Sequence, residues 1–189
     1  MYDYFCDDAR VISKFNPKIM KRISLLILFI VSAFHVSAQS LKSVLLTQLK
    51  STHDKEEWFV PVNVALKGVT AEQAVWKDGS ENHSIGQLAN HLLFWNERQV
   101  KTFKGEKLEP FGGNNDETFN AFTKEQWTQT LKKLDDVFLE LEKIIENADE
   151  ATLKSWAETI GKISTHNAYH TGQIIFVRKL QGSWKPGAK

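Results

Sequence analysis

The chemistry in this chain is concentrated in its histidines, at positions 35, 53, 83, 91, 166 and 170. His166 and His170 stand four residues apart within an apolar-periodic segment, so on a helix they project from one face, one turn apart. Two imidazoles so placed can hold one divalent ion from a single rigid element. Ile160, Ile163, Asn167, His170, Ile174 and Val177 follow the 3–4 spacing of a helix seam, which turns His170 inward with His166 flanking it. Asn167, His170 and Gln173 interrupt that stripe, and burying an unpaired polar group costs roughly 1–3 kcal/mol. Either a metal or a network of neutral, hydrogen-bonded imidazoles meets the need, and spacing alone leaves both open. On another helix, Leu88, His91, Trp95 and Arg98 share a stripe, so His91 also faces inward. Three imidazoles from two helices would leave one or two metal positions open to water, the pattern of a catalytic site. Gln173 is placed to orient a bound water, and Trp95 to form a pocket wall or plain core. His83 is expected at a helix N-terminus or in solvent. His53, at a break in the first helix, is expected to be exposed.

The elements that must position these residues read as helices. Ser40 to about His53 has a 3.6 period, and the pattern resumes at Glu57-Trp58-Phe59-Val60 and runs to Leu66, with Pro61 starting a new turn and Gly68 as the stop. Thr70-Ala-Glu-Gln73 has capping-box spacing ahead of a short helix. Ser84-Ile-Gly-Gln87 repeats that spacing ahead of a strong one that ends at Gly105. The stretch Gly105–Thr123, with Pro110, Gly112-Gly113 and Asn114-Asn115, has no period and is expected as a long connection across one end of the molecule. Thr123-Lys-Glu-Gln126 opens a third long helix through Trp127, Leu134, Phe138, Leu141 and Ile145. A last helix begins at about Leu153 or Glu158 and stops at Gly182. Four long amphipathic helices and one long crossover make an all-α, four-helix bundle the expected fold.

At this point two segments resemble a known family. Asn82-His-Ser-Ile-Gly-Gln-Leu-Ala-Asn-His-Leu-Leu-Phe-Trp95 and Ile163-Ser-Thr-His-Asn-Ala-Tyr-His-Thr-Gly-Gln-Ile174 are similar to the two signature helices of the DinB-like superfamily of metal-dependent enzymes. Trp58 and the run Ala65–Ala74 look like its first helix and exit, so the resemblance spans about residues 40–182. It implies a four-helix bundle, often a homodimer, with a divalent metal (nickel, zinc or iron, which imidazole ligands do not distinguish) held by His91, His166 and His170. Trp95, Asn167 and Gln173 then stand behind the ligands or in the pocket wall. Relatives include thiol-dependent transferases and isomerases.

Composition sets the bounds. The chain has 189 residues, 42% hydrophobic and 25% charged, with 24 basic against 23 acidic residues, a globular profile of one domain's length. A net charge of +1 with no basic stripe offers nothing to nucleic acid. Met20-Lys-Arg22, the apolar run Ile23–Phe34 and the small residues Val36 and Ala38 have the form of a signal peptide cleaved before Gln39. That makes residues 1–19 a mis-assigned N-terminal extension, 20–38 the signal peptide and 39–189 the domain. Membrane contact is then expected only during export, and the destination is periplasmic or secreted. Export also removes the sole cysteine, Cys6, and separates the protein from cytoplasmic thiol cosubstrates. The functional expectation is an exported metal-binding bundle hydrolysing an unknown small molecule through a metal-bound water. The alternatives are a non-enzymatic metal or small-ligand binder and a thiol-dependent transferase.

Overall fold

The structure, a computed structural model, describes residues 39–120 and 122–185; the extension and the signal peptide expected from the sequence lie outside the described residues. It is all-α: α1 (Leu41–His53), α2 (Val62–Leu66), α3 (Ala71–Val75), α4 (Ile85–Phe103), α5 (Glu117–Asn120), a 3-10 turn (Lys124–Gln126), α6 (Trp127–Asn147) and α7 (Glu150–Leu180). Among the described residues there is no strand, and no helix is long and apolar enough to cross a membrane.

The helix starts are chemically marked. Ser84 accepts from the Gln87 amide while the Gln87 side chain accepts from the Ser84 amide, and Thr70 and Gln73 do the same for α3. Such caps stabilise a helix start by about 1 kcal/mol. Asp149 caps α7, so that helix begins a turn or more earlier than the apolar period suggested. Gly105 and Gly182 close α4 and α7 at positive φ, 78° and 70°, where a side chain would be strained.

α4 packs on α6 and α7, and α1 on α7 and α6. The ladder of contacts fixes directions. Lys42 reaches Glu146 while His53 meets Asp135 and Glu142, so α1 and α6 are antiparallel. Leu49, Ile85, Leu88, Leu92, Phe138, Leu141, Ile160 and Ile174 fill the shared core, all 2% exposed or less.

Three expectations need correction. Residues 55–61 are not helical, and Trp58 stands 98% exposed there; Pro61 delays the helix until Val62. The Gly105–Thr123 connection does not simply cross one end. It runs back down the whole of α4: Arg98 holds the Glu109 carbonyl, Phe111 meets Phe94 and Trp95, Asn90 holds the Thr118 carbonyl, and Gln87 holds Asn120. It also contains α5. By returning to the start of α4, this strap makes α6 run parallel to α4. The third correction concerns His53, which is 1% exposed and stacked on Phe138. Its Nδ1 lies 2.7 Å from Glu142 Oε1 and its Nε2 2.9 Å from Asp135 Oδ1. A polar group at a helix end was expected in water; two carboxylates from α6 hold it inside instead.

Candidate metal centre

His91, in the middle of α4, and His166 and His170, one turn apart on α7, meet in the groove between the two helices. Each offers one ring nitrogen, and the three lie within 4.8 Å of one another. Nε2 of His91 and Nε2 of His166 are 3.0 Å apart. His91 and His170 are buried and His166 is half-buried.

The level of His91 against α7 is held by a buried amide pair one turn further along. Asn96 Nδ2 donates to Asn167 Oδ1 at 2.8 Å, and Asn167 Nδ2 donates back to Asn96 Oδ1 at 3.3 Å. Asn167 is fully buried and does not line the cleft; its role is to register the helices.

The hydrogen-bond partners decide which nitrogens are free. Thr118, on α5, donates its hydroxyl to the Asn115 carbonyl (2.6 Å), so its oxygen accepts from Nδ1–H of His91 (2.5 Å). Gln173 gives its amide N–H to the Tyr169 hydroxyl (3.3 Å), so its carbonyl oxygen accepts from Nδ1–H of His170 (2.6 Å). In both rings a protonated Nδ1 leaves Nε2 as a bare lone pair. Gln173 therefore orients a ring, where the sequence suggested it would orient a water. The imidazoles are neutral at pH 7. Burial, then the neighbouring His170 and His166, push His91 down to about 3; burial, then His170, push His166 down to about 4. Burial also lowers His170, opposed by its bond to Gln173.

His166 can donate its Nε2–H to the bare Nε2 of His91 across the 3.0 Å between them, and a cation held by all three rings would take the place of that proton. A divalent ion at about 2.0–2.1 Å from each nitrogen wants separations of roughly 3–4 Å, and the 3.0 Å between His91 and His166 lies at the lower end of that range. The donor set, its neutrality and the oriented Nδ1 partners all fit a metal.

The site opens into a cleft of about 590 Å³, a size that suits a small molecule. Trp95, Phe119 and Ile163 supply apolar walls, as the sequence allowed for Trp95, and Asn115, Gln99, Thr159, Lys162 and Tyr169 its polar groups. No carboxylate lines it among the described residues. Phe119 is sandwiched between His91 and His83, 3.8 Å from each ring centroid and within 6° of parallel to both. His83 stands at the N-terminus of α4, as the sequence suggested, directly before the Ser84 cap and half-buried as the outer plate of that stack. Thr118 and Phe119 went unseen in the sequence. They lie in an aperiodic polar stretch where the one signal was a hydroxyl and an aromatic residue side by side.

The sequence profile of the DinB superfamily matches residues 62–174. The chain belongs to this superfamily. The matched span covers α2 to most of α7, including all three histidines of the site. No curated protein and no solved structure matches the chain.

Proposed function

We propose that this DinB-superfamily protein is an exported four-helix bundle that binds one divalent metal ion through His91, His166 and His170 and hydrolyses a small molecule there. The observation that carries the reading is the convergence of three neutral imidazoles at an open cleft. A closed structural site would have a fourth protein ligand, and among the described residues no further histidine, cysteine or carboxylate joins the group.

When bound, the ion supplies Lewis acidity that brings a water's pKa toward neutrality. The chain's own residues do the rest. Thr118 and Gln173 hold two rings so that their Nε2 atoms face the ion position. Trp95, Phe119 and Ile163 keep the apolar side of the cleft dry, which strengthens electrostatics within it. With no carboxylate in the lining among the described residues, the Tyr169 hydroxyl, which accepts from Gln173, is placed to donate a proton to the leaving group, and the water's own proton passes to solvent through the open cleft. Export is supported by the leader-like segment before Gln39.

Protein secreted by its native host and analysed before any affinity step should carry about one metal ion per chain, begin at Gln39, and cleave a member of an ester and amide panel. Chelation should abolish the cleavage. A stoichiometric metal without any turnover would leave a binding protein; no metal at all would leave a polar core.

A further inference from the structure

A second cleft, at the C-terminal end of α7, buries a cation with no counter-charge among the described residues. Arg178 is 7% exposed. Its Nη1 donates to the carbonyls of Ala65 (2.7 Å) and Lys67 (3.2 Å), and its Nη2 to that of Ser183 (3.0 Å). These are neutral dipoles. Nε has no partner, the sole such buried side-chain nitrogen or oxygen among the described residues. The Trp184 ring covers the guanidinium at 5.1 Å. Lys67 and Lys185 line the same cleft of about 430 Å³, and among the described residues no acidic side chain does. None of the three cations forms an ion pair among the described residues.

Burying a charge is costly unless it is paired, and three like charges around one space add repulsion. An anion in the cleft relieves both. Three cations favour a dianion over a carboxylate: Arg178, whose Nη1 protons are held by carbonyls, contributes charge, and the Lys67 and Lys185 ammonium groups supply the donors. We propose that this cleft binds a phosphate group, free or on a small phosphate ester whose organic part lies beside Trp184. Arg178 is eight residues beyond His170, about 12 Å along the helix, so this site stands or falls apart from the metal centre.

The test titrates the full chain with inorganic phosphate, glycerol 3-phosphate and phenyl phosphate at constant ionic strength, following melting temperature, with sodium chloride and acetate as controls. The H91A variant, titrated in parallel, removes any anion binding at the histidine site. Saturable stabilisation is expected from the phosphates and not from the controls, in wild type and H91A alike. The rim variant K67Q/K185Q should raise the apparent dissociation constant at least about tenfold, while its unliganded melting temperature stays level or rises as the like-charge repulsion is relieved. That variant avoids Arg178, whose loss would unfold the corner it cross-links. A gain from the esters over phosphate identifies an ester as the occupant; equal affinity identifies phosphate itself. Stabilisation equal in the rim variant, equal with chloride, or lost in H91A would overturn the proposal and leave Arg178 as a cross-link.

Discussion

His91, His166 and His170 work only as oriented rings, and the orientation comes from neighbours that never touch the ion. Thr118→Val and Gln173→Leu each remove the acceptor for an Nδ1–H. Each should weaken metal affinity by about 10–100-fold in a chelator-competition titration, while the fold is retained. A smaller loss than threefold in both would mean that helix geometry alone aims the rings. His53 makes the opposite use of the same side chain. With a carboxylate at each nitrogen it is an imidazolium: burial alone would lower its pKa, but the hydrogen bonds to Glu142 and Asp135 outweigh this and raise it. A group whose folded pKa is raised gives its full stability below the unfolded value of about 6.5 and loses it as pH rises through the folded value. Asp135, held down by His53 and Asn63, loses its share as pH falls through its own lowered pKa. His53→Gln should therefore cost about 2 kcal/mol in urea unfolding near pH 6, discounted because Asp135 is 46% exposed. The difference should shrink at alkaline pH; a gap that widened there would show His53 to be neutral.

Between elements, two contacts decide whether the site exists. One is the Asn96–Asn167 pair. Asn167→Leu strands the buried Asn96 amide and should cost about 1–3 kcal/mol, whereas the double change to Leu should cost clearly less than the two single changes summed. Additive costs in a double-mutant cycle would rule out the pairing. The other is the strap that retraces α4. Gly86 lies against the Phe122 ring so closely that a methyl group there would overlap it. Phe122 anchors the end of the strap that carries Thr118 and Phe119. Gly86→Ala should therefore destabilise the protein by about 1–2 kcal/mol and also weaken metal binding, by displacing the hydroxyl that orients His91. Adding Phe122→Ala should not deepen the stability loss by its usual amount, because the overlap is already gone.

For the molecule as a whole, the three ligands come from two helices far apart in sequence, so the folded chain alone presents them together. Metal binding must then stabilise the fold: a free ion at a hundred times its dissociation constant adds about 2.7 kcal/mol, or roughly 5–10 °C in melting temperature for a domain of this size. Chelation should reverse the shift, and H91A/H166A should lack it. An equal shift in that variant would place the ion elsewhere.

What the sequence determined by itself was whatever depends on local chemistry. Helix periods, the capping boxes at Thr70 and Ser84, the glycine stops, and the shared face of His166 and His170 all follow from rules that act within one or two turns. The inward face of His91 followed too, because an apolar stripe has to be buried somewhere. Tertiary structure decided everything that depends on partners remote in sequence. His53 looked exposed because nothing near it in the chain could satisfy a buried imidazole; Asp135 and Glu142, more than eighty residues away, do so. Thr118 and Phe119 carried no periodic signal because the strap's apolar residues, Phe111, Phe119 and Phe122, are irregularly spaced and pack one by one on α4. The same holds for Arg178, whose guanidinium is held by the carbonyls of Ala65 and Lys67, more than a hundred residues away. A local pattern states which side of a helix is buried, but only packing states against what, and the chemistry of both clefts lies in that second answer.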